Sequence, residues 1–347
     1  MTTIKDVARE AGVSVATVSR VLNHSAVVSE DTRRIVREVA DRLNYWPNGA
    51  ARSLITNRTQ AIGVMLPDLF GEFYSEILRG MDWTARKAGL HLLVSSSHAD
   101  ANELVAGLRA TRGRIDGLIV MAPDIDARAP IRAIATDQPL VLIDPGSGFE
   151  ACDTISIANQ SGASAIVRHL VSLGHRHVAT VSGPARNADA RQRLEGYRAA
   201  LRGSAAEISS GYEILGDFTE PTGYAAVARL LALEPRPTAV FAANDYMAIG
   251  VMGALSDAGV RVPEDIAVVG FDDIAMARYL NPPLTTVHVD AYRLGERAVE
   301  MLLAKPRSRV AGRPHHEVLP TTLVVRSSCG SSSVLQARAG HERQRGR

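Results

Sequence analysis

A small all-α head followed by an α/β core of two similar units is the fold class this sequence predicts, and three observations predict it. Residues 1 to about 45 hold three short helical stretches and no strand-like run. From Ala61 onward, short apolar runs alternate with longer stretches of helical period, the signature of a parallel sheet covered on both faces. Near residue 178 that rhythm restarts, which gives two α/β units in tandem.

In the head, Thr3 opens a capping pattern, with Asp6 three residues later able to reach back to the Thr3 amide. The first helix runs from about Ile4 to Ala11 and carries Val7 and Ala8 on one side. Gly12 supplies the residue most able to take a positive φ in a tight turn. Ser14 then caps a second helix whose Val18, Val21 and Leu22 share one apolar face. Small Ala8, turning Gly12 and apolar Val18 are what two helices crossing at a steep angle require. A third helix starts at Ser29, with acids in its first turn as the helix dipole favours.

A polar connection, "WPNGAARSLITNRTQ", leads from the head to the core. "AIGVMLPD", "LHLLVSS", "GLIVMAP" and "PLVLIDP" are the strands of the first unit, and "HVATVSGP", "YEILGDF", "TAVFAAND" and "IAVVGFDD" those of the second. Crossovers between the units are expected near "TISIAN" and "LTTVHVD", and the helix "AYRLGERAVEMLLAK" needs a sheet to cover. Most strands end in Asp, Asn, Ser or Pro. Carboxyl ends of strands line the crevice of an open parallel sheet, so these ends are the candidate ligand contacts. The last residues, "SSSVLQARAGHERQRGR", lack a leucine heptad and read as a disordered tail.

Composition excludes several classes. The formal net charge is +2 over 347 residues, but residues 1–60 carry nine Lys/Arg against six Asp/Glu, a mildly basic head on a neutral body. The two cysteines, Cys152 and Cys329, lie far apart and form no disulfide framework or zinc motif, so no metal is expected. No run approaches membrane length and "MTTIKDVARE" has no signal-peptide core, which places the chain in the cytoplasm. "GSGFEA" mimics a dinucleotide fingerprint, but "CDTISIAN" after it is strand-like where a helix is needed. With no Walker lysine, G-x-S-x-G or H-E-x-x-H, the chain is expected to be no enzyme and to need no cofactor.

The outer face of the second helix points to a partner. Val15, Ala16, Thr17, Ser19 and Arg20 are not a core, and they carry too little charge for an ordinary solvated face. Short side chains permit close approach to base edges, and one arginine binds guanine bidentately in the major groove. The bland alternative, a helical cap on an enzyme, leaves that face unexplained.

"TIKDVAREAGVSVATVSRVLN" resembles the headpiece of the lactose/galactose-repressor (LacI/GalR) family. The likeness continues through "LNYWPNGAARSLIT", "LVSLGHRHVATVSGP", "RLEGYRAAL", "ANDYMAIG", "DIAVVGFDDI" and "NPPLTTV", and so spans Thr3 to about Arg326. The resemblance implies a homodimeric transcriptional regulator with a helix-turn-helix headpiece and two Rossmann-like subdomains, like those of periplasmic sugar-binding proteins. It implies a headpiece at 1–46, a hinge at 47–60, a core at 61–330 and a tail at 331–347. Within the core, the N-subdomain would take 61–158 and 290–318, and the C-subdomain 159–289 and 319–330.

Carried over by position, Val15, Ala16 and Arg20 would read bases of a pseudo-palindromic operator. Ser14, Thr17, Asn23, Ser29, Thr32 and Tyr45 would hold phosphates, which positions the head without specifying sequence. Ala51 and Leu54 would enter the minor groove from the hinge. Phe73, Tyr74, Asp144, Arg193, Phe218, Asn244 and Asp272 would hold the effector, a kit suited to a polyhydroxylated ring. Ribose- and purine-type members are the most similar. Asn187 and Asp189 stand where purine-type members place base-binding residues and do not match them, which favours a sugar. A purine- or nucleoside-responsive regulator and a sugar-binding protein with no DNA role are the alternatives.

Overall fold

The computed structural model describes residues 2–22, 28–46, 58–124, 126, 128–134, 138–202, 204, 210–304 and 313–331. The chain divides into two compact units, residues 1–60 and 61–347.

The first unit packs α1 (Ile4–Glu10), α2 (Val15–Leu22) and α3 (Glu30–Arg42) around Val7, Ala8, Val18, Val21, Val36, Val39 and Ala40. At α1 the Asp6 carboxylate reaches back as expected, accepting from the backbone N–H and the hydroxyl of Thr3. Gly12 takes φ +67° between α1 and α2, a conformation a Cβ would strain. Ser14 and Ser29 open α2 and α3, each accepting from the amide three residues on.

In the second unit a six-stranded parallel sheet has the order β11-β5-β4-β3-β1-β2. Its strands are β1 (Ala61–Leu66), β2 (His91–Ser96), β3 (Gly117–Met121), β4 (Leu140–Ile143), β5 (Asp153–Ile157) and β11 (His316–Leu319). Helices α4 (Glu72–Lys87), α5 (Ala101–Thr111), α6 (Arg128–Ile134) and α11 (Ala291–Leu303) accompany it. A four-stranded parallel sheet, order β7-β6-β8-β9, is built from β6 (Val178–Ser182), β7 (Glu213–Leu215), β8 (Ala239–Ala242) and β9 (Ala267–Val269). Helices α7 (Asn159–Ser172), α8 (Ala188–Leu201), α9 (Glu220–Leu231) and α10 (Asp245–Asp257) cover this second sheet. The chain crosses between the sheets three times: after β5, between β9 and α11, and after β11. An antiparallel pair, β10 (Thr286–His288) with β12 (Thr322–Val324), ties the last two crossings together. Because α11 packs on α4 and on β3–β5, the "AYRLGERAVEM" helix returns to the first sheet.

Three helix pairs meet with glycine against backbone. A Cβ at Gly80 of α4 would overlap the carbonyl oxygen of Tyr292, and one at Gly295 of α11 that of Ile77. Gly196 of α8 lies against the Gln160 carbonyl of α7, and Gly223 of α9 and Gly250 of α10 each lie against the other helix's backbone. Without side chains between them these helices approach more closely than ordinary packing allows.

The tail expected at 331–347 falls outside the described residues beyond Ser331, whose hydroxyl donates to the Arg326 carbonyl. Asn23 and the hinge residues Ala51 and Leu54 also lie outside them.

Candidate functional site

Two faces of the molecule bring sequence-predicted residues together. On α2 the buried side is Val18 and Val21, while Ala16 and Arg20 are exposed and Val15 is 41% exposed. Arg20 has no hydrogen-bond or ion-pair partner among the described residues. Ser14 Oγ lies 2.9 Å from Thr17 Oγ1, and Ser29 Oγ 2.9 Å from Thr32 Oγ1. One hydroxyl of each pair donates to the other, so each pair keeps one O–H to offer outward to an oxygen anion. Tyr45 is half-buried against the head's core.

The second face is a cavity of about 370 Å³ in the core, and the topology dictates its place. In the first sheet the strand order reverses between β1 and β3, in the second between β6 and β8. Strand-end crevices at such reversals are where open α/β sheets bind ligands, and here the two crevices open on one space. Phe73 and Tyr74 from the first turn of α4, Met121 at the end of β3 and Asp124 after it, and Asp189 and Arg193 from α8 border it. So do Phe218 after β7, Asn244 after β8 and Asp272 after β9. Several lining residues hold left-handed backbone: Phe218 has φ +72°, Asp272 φ +109° and His98, after β2, φ +47°. Non-glycine residues hold such conformations only where the surroundings enforce them.

Arg193 organises the floor. It is 4% exposed, donates from Nε to Asn159 Oδ1 at 2.8 Å, and from a terminal nitrogen to the Ala243 carbonyl at 2.7 Å. That nitrogen also lies 3.0 Å from Asp272 Oδ1, and the guanidinium carbon stands 3.9 Å from the ring centre of Phe271. Asn159 Nδ2 in turn donates to Asp189 Oδ1 at 3.1 Å. The walls meet across the cavity: the Glu72 amide donates to Tyr246 Oη at 2.9 Å, Ala275 N–H to the Glu72 carboxylate, and Ala188 N–H to the Pro123 carbonyl at 3.0 Å. This is a closed arrangement.

Asp144 does not line the cavity: with φ +44° it is 2% exposed and accepts from Ile157 N–H at 2.9 Å, tying the end of β4 to the end of β5. Asn244 does border the cavity, yet both ends of its amide are engaged, accepting from Met247 N–H and donating to the Phe218 carbonyl. Sequence reasoning missed Asp68 and Asp124 as wall residues. The signal was available, since "LPD" and "APD" follow β1 and β3 as strand ends.

Burial pushes Asp272 up to about 6 against the pull of Arg193, and pushes Asp189 up to about 7, with Asp124 and Asp272 adding to the rise. Asp144 and Asp245, also buried, are raised well above the ordinary carboxylate range. Each of these acids holds its proton more tightly folded than unfolded. Its stabilising contribution is complete below the ordinary carboxylate pKa and lost as pH rises through the folded value. Asp217 and Glu317 are lowered and act only at more acidic pH, while His175, lowered by its burial, opposes the trend. The ligand-free protein is therefore expected to lose stability between about pH 4 and pH 7. Urea midpoints across that range check it, and a midpoint that stays level or climbs contradicts it.

The family model described as bacterial regulatory proteins, lacI family, matches residues 3–48, and that of the periplasmic binding protein-like domain matches residues 167–329. The HTH-type transcriptional repressor PurR of Photobacterium profundum is 36% identical over 330 residues, covering 94% of this chain and 98% of that protein. The ribose operon repressor of Escherichia coli (strain K12) is 38% identical over 307 residues, covering 87% and 92%. Among solved structures, the lac repressor dimer bound to operator and the anti-inducer ONPF matches with TM-score 0.86 at 33% identity, over 94% of this chain and 99% of that one. A LacI family transcriptional regulator from Enterococcus faecium with bound ribose matches with TM-score 0.69 at 29% identity, over 77% and 98%.

Proposed function

Because the chain belongs to the lacI family of bacterial regulatory proteins, we propose that it is a repressor-type regulator that binds operator DNA through its helical head. A small polyhydroxylated effector in the core cavity sets its operator affinity. The observation that carries this reading is the union, in one chain, of an α2 face with short exposed side chains and a cavity at two opposed strand-order reversals. The ribose and operator held by the solved relatives support the same classes of partner here. One head offers few base contacts, so the protein works as a homodimer on a pseudo-palindrome, in the cytoplasm where that DNA lies.

In this reading Val15, Ala16 and Arg20 meet base edges, and the Ser14–Thr17 and Ser29–Thr32 pairs give their outward hydroxyl protons to phosphates. Arg193 and Asp272 take adjacent hydroxyls of the effector, with Phe73 and Phe218 against its C–H face. The effector shifts operator affinity only by its differential affinity for two arrangements of the core.

Arg20→Ala is expected to remove about 2 kcal/mol of discrimination between operator and unrelated DNA. Binding isotherms on both DNAs, with and without D-ribose, measure it. Loss of both affinities in equal proportion contradicts the base-reading role, and a response to no sugar or purine contradicts the effector reading.

A further inference from the structure

The cavity's charge is lopsided. Among the described residues Asp68, Asp124, Asp189, Asp217, Glu220 and Asp272 border it, against one guanidinium, Arg193, and the imidazole of His98. Three of the acids have partners that account for their charge. Asp68 accepts from the amides of Leu69 and Phe70, and Asp217 from Thr219 and Thr222. Asp272 has Arg193. His98 is turned to Glu103.

Asp189 is different. It is 6% exposed, sits in the first turn of α8 and borders the cavity. One oxygen takes the neutral Asn159 amide, and the other has no hydrogen-bond partner among the described residues. Asp124 stands near it from the facing unit, bonded to the neutral Asn187 amide. Arg193 lies within its field, with its own bonds running from Nε to Asn159 and from one terminal nitrogen to Ala243 and Asp272. Two carboxylates from opposite walls thus face one space, and among the described residues neither forms an ion pair with the arginines in its field, Arg193 and Arg191 for Asp189 and Arg186 for Asp124.

Building on the effector reading above, we propose that the effector is a single-ring polyol bearing a basic nitrogen, an amino sugar or an iminosugar, whose ammonium group pairs with Asp189 in the field of Asp124. A neutral sugar gives Asp189 a hydroxyl but no opposite charge of its own, at a buried carboxyl where an ion is costly. A sugar phosphate or carboxylate brings like charge against both acids and is excluded. An ammonium ion compensates Asp189 and supplies the short, charge-assisted hydrogen bond its second oxygen lacks. A cavity of about 370 Å³ is at the small end of ligand pockets and suits one ring. The raised proton affinity of Asp189 is consistent with a carboxylate awaiting a cation.

Calorimetry on the full chain tests this with matched pairs: 1,4-dideoxy-1,4-imino-D-ribitol against D-ribose, and D-glucosamine against D-glucose, with D-ribose 5-phosphate as the anion. The nitrogen-bearing member of at least one pair is expected to bind at least about tenfold more tightly than its parent, and the phosphate not at all. Asp189→Asn is expected to bring that ratio close to one. In the unaltered protein, repeating the titration in phosphate and Tris buffers is expected to show proton release from Asp189 when the amine binds. A parent sugar that binds as tightly as its nitrogen analogue and shifts operator affinity overturns this inference and leaves the effector reading standing. Binding by none of the five compounds overturns both.

Discussion

Arg193→Ala is expected to abolish the effector's influence on operator affinity and to destabilise the core by roughly 3–5 kcal/mol, the cost of breaking a buried ion pair from one side. Removal leaves Asp272 without its ion-pair partner, takes the positive field of Arg193 away from Asp189, and leaves the Ala243 carbonyl and Asn159 Oδ1 without a donor. It also strips the plate from the face of Phe271. Operator affinity with and without saturating effector reads the first effect, and urea unfolding the second. The double variant Arg193→Ala/Asp272→Asn is expected to recover part of the stability but none of the response, because the neutral amide no longer needs a cation. A response of the original size in Arg193→Ala places the effector elsewhere. A double variant less stable than the single one shows that the stranded charge was not the cause.

Gly295→Ala carries the second large effect, with an expected loss of about 3 kcal/mol. A methyl group there meets the Ile77 carbonyl within α4, and neither helix yields without moving its sheet contacts. The matched control is Gly253→Ala in α10, where the nearest atom to the new Cβ is Tyr224 Cδ2 at 3.9 Å, an ordinary contact. That variant is expected to gain several tenths of a kcal/mol from helix propensity and the unfolded chain's lower entropy. Opposite signs for one chemical change in two helices isolate the close approach as the cause. Equal effects in the two helices refute it.

Much of this was legible in the residues. Thr3, Asp6, Gly12, Ser14 and Ser29 act through neighbours two to four positions away, and each does in the fold what its local chemistry requires. Six of the eight apolar strands were legible for a similar reason, since burial on both faces leaves near-continuous apolar residues, while β2 and β7 keep an apolar run despite their exposed positions. β11 and β12 were not. His316–Leu319 alternates exposed and half-buried positions at the sheet's edge, and Thr322–Val324 is three residues long. Asp144 shows where strand-end reasoning runs out: its neighbour Ile157 is thirteen residues away, and only the β4–β5 pairing makes it a tie beneath the cavity. Asp189 drew notice as a mismatch to one kind of pocket, while its unanswered oxygen emerges only when α8 is set against the facing wall.

The glycine-to-backbone helix contacts also bear on how such a protein diversifies. Helix pairs locked this closely make each α/β unit stiff, so the compliance of the core is concentrated in its three crossings. A stiff body on few joints has few ways to move. Ligands that differ in shape and charge then drive the same displacement, provided each is gripped by both units. The residues that choose the ligand, such as Asp189, are therefore free to change by mutation without retuning the motion that reports its arrival. The joints and the glycines, which choose nothing, are held fixed by that motion.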